Sequence, residues 1–334
     1  MLIKSSFKPA WWLSNSHLQT IYPSLLRKAP TPVIKRERFI TEDGDFIDVD
    51  FCGQGKQPLV ILLHGLTGSS QSGYIKGLQG SLLAQGFRTA ALNFRGCSGE
   101  YNHSSRCYHS GETGDIDFLY RTLRAREPQI AMGAVGFSLG GNVLLKWLGE
   151  QGKGLQLFAA VAVSVPLVLS ECASRLDSGF SKIYRASLLR ELKDYVRLKQ
   201  AHLESLGKTE EADILKAIGS LEDIKSFWQY DNRVIASLYD FANVEDYYRR
   251  SSSRQYLMDI QVPTLLIQAA DDPFMTADVI PSVAELSPSI SMEITKSGGH
   301  VGFVAGNNPF RARYWLDQRI PEYFLQHISA AVVN

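Results

Sequence analysis

From residue 36 onward, short wholly apolar runs alternate with longer stretches in which apolar residues recur every three or four positions. The short runs at Leu59–Leu63 (LVILL), Phe87–Phe94, Ile130–Phe137 and Leu157–Val165 read as strands buried on both faces, which show no polar alternation. Between them the spacing predicts helices over Tyr74–Gln85, ended by Gly86, over Asp115–Arg126, with Ile116, Leu119, Tyr120 and Leu123 on one face, and over Leu139–Glu150. Arg38–Phe51 reads as two strands turning at Asp43-Gly44. The rhythm breaks from about Leu169 to Tyr256, a polar and aromatic block with helical stretches at Tyr184–Leu206 and Glu210–Leu221. Strand signals return at Val262–Ala269 and Ile290–Thr295, and a helix from about Phe310 to Ile328 ends the pattern. Such alternation implies an α/β fold, a mostly parallel central sheet flanked by helices. Residues 1–334 are expected to form a single domain, with about 169–256 as a helical cap insertion over the site.

Charge and cysteines change this picture only by exclusion. Thirty-five basic residues face thirty-four acidic ones, so no basic surface for nucleic acid is expected. Cys52, Cys97, Cys107 and Cys172 are irregularly spaced, with no zinc pattern. Reduced thiols in a cytoplasmic protein are the simplest reading, with a Cys97–Cys107 bridge as the alternative for an exported one. The N-terminal apolar run is too short for a signal peptide. The uncharged stretch Gly154–Ser170 is marginal as a membrane span and reads better as a buried strand. No stable membrane insertion is expected.

The chemistry enters at Gly136-Phe137-Ser138-Leu139-Gly140, a G-x-S-x-G pattern. Three fixed positions arise by chance in roughly one chain of ten at this length. Its placement between a strand and a helix gives it weight, because that turn strains the serine and lifts its hydroxyl above the sheet. A serine needs a base, and in such sheets the acid and then the histidine follow the nucleophile along the chain. Of the seven histidines, His17, His64, His103 and His109 precede Ser138, His202 lies in the insertion and His327 near the end. His300, in a glycine-rich loop after the last core strand, is the expected base. Asp272 is the expected acid that orients it, with Asp271 holding the turn; the reverse assignment is the alternative. Backbone N–H groups of Leu66 and Leu139 are the expected oxyanion donors, and His64 is read as holding the loop rather than as a base. Arg95 is expected to pair with an acidic residue and brace the loops. The insertion's aromatic residues (Phe227, Trp228, Tyr230, Tyr239, Phe241, Tyr247, Tyr248) either line an acyl pocket or glue the cap to the body.

Together, His64-Gly65-Leu66-Thr67-Gly68, Asn93-Phe94-Arg95-Gly96, Gly136–Asn142, Ala270–Phe274, Gly298–Phe303 and the N-terminal Trp12–Thr20 resemble the AB hydrolase-4 family of the α/β-hydrolase superfamily. The resemblance spans nearly the whole chain, the insertion excepted. It implies the α/β-hydrolase fold and a carboxylic-ester hydrolase without cofactor or metal; some eukaryotic relatives are ester synthases or phospholipases. No H-x-x-x-x-D acyltransferase motif is present. The expected partner is a small-molecule acyl ester of short to medium chain, cleaved through an acyl-enzyme on Ser138. An acyltransferase using the same intermediate and a non-catalytic ligand-binding protein are the alternatives.

Overall fold

The computed structural model describes residues 1–27 and 32–332, with side chains through residue 328. The strands are β1 (Leu2–Lys4), β2 (Ile34–Ile40), β3 (Phe46–Cys52), β4 (Leu59–Leu63), β5 (Arg88–Asn93), β6 (Met132–Phe137), β7 (Leu157–Val163), β8 (Thr264–Ala269) and β9 (Ile290–Thr295). They form one sheet in the order β1-β9-β8-β7-β6-β4-β5-β3-β2. The β2–β3 and β3–β5 pairings are antiparallel and all others parallel.

The apolar runs are continuous because each strand feeds two cores. Leu59, Ile61 and Leu63 of β4 join one cluster, with Ile116, Leu119, Val143 and Leu144 from helices α3 (Gly114–Arg126) and α4 (Leu139–Gln151). Val60 and Leu62 join the other, with Leu78 and Leu82 of α2 (Gly73–Ala84) and Ile320 and Phe324 of α11 (Leu316–Val332). Neither face can therefore carry the polar alternation of a half-exposed sheet. The segment Gly154–Ser170 contains β7, buried at every position. Among the described residues, no helix is long and apolar enough to cross a membrane.

Between β7 and β8 the chain forms α5 (Leu169–Leu176), α6 (Ser181–Ser205), α7 (Thr209–Ala217), α8 (Phe227–Tyr230), a π-helical turn over Asp231–Ile235, α9 (Ala236–Leu238) and α10 (Val244–Ser251). These helices have their own apolar cluster, including Leu169, Leu189, Phe227, Val234 and Tyr247.

Two expectations change. The last helix begins at Leu316, not Phe310: Phe310 lies in a 3-10 turn (Pro309–Arg311) that Asn308 caps through its side chain, and it is 95% exposed. Residues Arg313–Tyr314 then pair with Val304–Ala305 as a short antiparallel ladder, which a helix over them would prevent. The N-terminus, for which no regular element was expected, supplies β1 and helix α1 (Ser16–Leu26), started by Asn15 accepting from the His17 N–H.

Candidate active site

β4 lies between β5 and β6, so the chain leaves β4 toward one side and returns on the other; the carboxyl ends flanking such a reversal form a crevice. Ser138 stands there, directly after β6 and before α4, at φ 51° and ψ −119°. A non-glycine residue in that region costs of order 1–3 kcal/mol and persists only where its surroundings enforce it. Here the Ser138 N–H donates to the Val163 carbonyl of the neighbouring strand. The motif's glycines answer to close backbone approach: a Cβ at 140 would overlap the carbonyl oxygens of His64 and Leu63, and one at 136 would overlap the backbone of Gly140. Asn142, one turn into α4, donates to the carbonyls of Ser110 and Ser251 and accepts from the Ser253 N–H. It thereby bolts the end of α10 to the helix that carries the serine.

His300 reaches Ser138 from the loop after β9. The Ser138 hydroxyl donates to His300 Nε2 at 2.8 Å, and His300 Nδ1–H donates to Asp272 Oδ2 at 2.8 Å. Asp272 is buried, and its Oδ1 accepts the Phe274 N–H at 2.8 Å. The Phe274 ring stacks on the imidazole, centroids 4.0 Å apart and 2° from parallel, which fixes the ring plane. Asp271 does something else: its Oδ1 accepts the Gly299 N–H at 3.0 Å, and burial pushes its carboxyl above the usual range. The choice between the two carboxylates thus resolves geometrically, with Asp272 on the imidazole and Asp271 on the loop. Val301 and Phe303 adopt φ of 59° and 44°, strained for a β-branched and an aromatic side chain.

The β4–α2 loop lies against the elbow, since a Cβ at Gly65 would stand 3.2 Å from Ser138 Cβ. Among the described residues, neither the Leu66 nor the Leu139 N–H donates to a protein acceptor, and both residues border the cavity that Ser138 faces. His64 is buried, its Nδ1–H donating to the Gly65 carbonyl and its Nε2 accepting from the Phe94 N–H. Burial holds its pKa down to about 4, so it stays neutral and keeps this loop-bracing tautomer. Arg95 is buried between Asp115 (2.8 Å) and Asp43 (2.7 Å), a brace for the loops that does not border the cavity.

Sequence reasoning gave no role to the N-terminal helix, yet it props the histidine loop. Thr20 Oγ1 accepts the His300 N–H at 2.9 Å and donates to the Ser16 carbonyl. Gln19, wholly buried, accepts from the Val304 N–H and donates to the Val304 and Leu13 carbonyls. Gly302 is required because a Cβ there would overlap the Gln19 carbonyl. His17 Nδ1 meets the Tyr184 hydroxyl of α6 at 3.0 Å. The available signal was polarity: Asn15, His17, Gln19 and Thr20 form a dense polar run too far from the site in sequence for spacing to connect them.

Ser138 and His300 open on a cavity of about 920 Å³, roofed by Leu169, Leu176, Leu192 and Ile235 of the inserted helices. Of the aromatic residues considered, Phe227, Tyr230, Tyr247 and Tyr248 border it; Trp228, Tyr239 and Phe241 do not. The two readings of those rings therefore divide between residues.

Comparison with known proteins agrees with this architecture. A family model described as alpha/beta hydrolase fold matches residues 58–306. The chain is 36% identical to "Putative esterase YheT" of Escherichia coli (strain K12), over 98% of this chain and 95% of that one. It is 27% identical to "Phospholipase ABHD3" of Mus musculus, over 97% of this chain and 79% of that one. Among solved structures, the esterase Pf2001 of Pyrococcus furiosus superposes with a TM-score of 0.57 at 18% identity, covering 89% of this chain and 92% of that one, a likeness of fold.

Proposed function

We propose, from the premise that the chain belongs to the α/β-hydrolase fold family, that it is a serine carboxylic-ester hydrolase acting on short- to medium-chain acyl esters. The observation that carries this reading is the unbroken Asp272–His300–Ser138 hydrogen-bond chain opening on a partly open, mostly apolar cavity. His300 takes the Ser138 proton as Oγ attacks the ester carbonyl, and the Leu66 and Leu139 N–H groups receive the oxyanion. The protonated imidazole, stabilised by Asp272, then gives its proton to the leaving alcohol, and a water repeats the sequence on the acyl-enzyme. The helices over Leu169–Ser251 act as the cap that keeps the acyl chain out of water. The same reading puts the enzyme in the cytoplasm, supported by four cysteines that are all unpaired.

The experiment is turnover of p-nitrophenyl esters of graded chain length. A maximum of kcat/KM among short to medium chains is expected, and absence of turnover at every length would refute the proposal. Analysis of products formed with added ethanol or glycerol reads the acceptor: free acid marks hydrolysis, a new ester marks acyl transfer.

A second test concerns the prop under the histidine. Thr20→Val keeps the shape of the side chain but deprives the His300 N–H of its acceptor. We expect kcat on the best ester to fall about tenfold with KM within about twofold, because a slightly displaced imidazole costs rate more than binding. Thr20→Ser should restore the rate. Equal losses in both variants would show that the hydroxyl is not what positions the loop.

A further inference from the structure

Besides Glu191, an exposed residue of α6, the cavity is bordered by one acidic group that the proposed reaction does not use. Asp231, the first residue of the π-helical turn, borders it. Its Oδ2 accepts the Tyr248 hydroxyl at 2.7 Å, and among the described residues Oδ1 makes no hydrogen bond and no basic side chain pairs with the carboxylate. Phe227, Tyr230, Tyr247 and Tyr248 border the same space. Burial, opposed only by the Tyr248 hydrogen bond, pushes the carboxyl up to about 7. Holding the cap together does not explain an acid here: an asparagine would accept the same tyrosine hydroxyl without the cost of burying a charge. The π turn is a second irregularity at the same place, and such turns recur at functional sites.

From the uncommitted carboxylate oxygen and the rings beside it, we propose that Asp231 is a specificity-determining residue that binds a cationic, ammonium-type group carried by the ester substrate at the end remote from its carbonyl. A positive charge supplies the missing counter-ion, and aromatic faces attract the same kind of group. A hydroxyl would satisfy the oxygen but leave the charge uncompensated. The inference rests on the hydrolase reading for the word substrate, and on the pocket alone for the cation.

The test uses p-nitrophenyl esters whose acyl chains end in trimethylammonium or in its uncharged isostere, tert-butyl, at several spacer lengths. Assays run at pH 8, where the carboxylate is charged. At the best spacer length, kcat/KM for the ammonium ester should exceed that for the isostere by about tenfold or more. Asp231→Asn should bring that ratio near one, and Asp231→Glu should keep a preference for the cation. A wild-type ratio near one at every spacer length, which requires no variant to fold, would overturn the proposal; so would a ratio that survives in Asp231→Asn, or a hydroxyl-terminated ester preferred over the cationic one. If no ester is turned over, the hydrolase reading fails by itself. The pocket is then tested by free 6-(trimethylammonio)hexanoate, which should raise the melting temperature of the wild type and not of Asp231→Asn; no shift in either overturns the cation site.

Discussion

Ser138→Ala is expected to lower kcat on p-nitrophenyl esters by at least about 10⁴-fold while leaving the protein folded, read by steady-state rates beside a thermal melt. The size follows from what the hydroxyl does. In the proposed mechanism its hydrogen bond to His300 Nε2 at 2.8 Å is the route by which the attacking oxygen loses its proton, and among the described residues no other side chain on that imidazole nitrogen offers a nucleophile. Folding is expected to survive because the strain belongs to the backbone at φ 51°, which alanine bears as serine does. The neighbouring glycines, which permit the close approach, are untouched. The lost hydrogen bond is worth only about 1 kcal/mol, a shift of a few degrees. A fluorophosphonate should label the wild type once and the variant not at all. A variant that keeps its esterase rate would remove Ser138 from the mechanism and leave the cavity as a binding site.

How much of this could be read from the chain alone varies with the range of the interaction. The strands with continuous apolar runs were legible because burial on both faces is written into every position, as in Leu59–Leu63. The elbow was legible because its constraints are local: Gly136, Ser138 and Gly140 lie within one turn. His300 could be found because the order of elements limits the choice to a loop after the last strand. The Asp271–Asp272 choice could not be decided from sequence, since it turns on which carboxylate faces the imidazole across 28 residues of chain. Thr20 and Gln19 were invisible as supports for the same reason at a separation of 280 residues or more. Phe310 was misjudged because a capped turn and a two-residue ladder leave little trace in hydrophobic periodicity. Asp231 is a partly buried acid in a segment whose composition looks like ordinary helix surface; only the fold places it beside the cavity.

Asp272→Asn should lower kcat by about 10⁴-fold, whereas Asp271→Asn should stay within about threefold of wild type, both measured as kcat on the same ester. The contrast is chosen so that shape is held constant at each site. An amide at 272 can still accept the Phe274 N–H and sit against the imidazole, but it brings no charge to stabilise the imidazolium and can present its NH₂ to Nδ1, which favours the wrong tautomer. At 271 the amide oxygen can accept the Gly299 N–H as the carboxylate does, so the loop carrying His300 keeps its anchor. Alanine at 271 would test less cleanly, because losing that anchor would move the imidazole by itself. If Asp271→Asn carried the large loss and Asp272→Asn the small one, the acid supporting the imidazolium in the transition state would be Asp271. The 2.8 Å contact at Asp272 would then belong to a resting arrangement that rearranges when substrate binds.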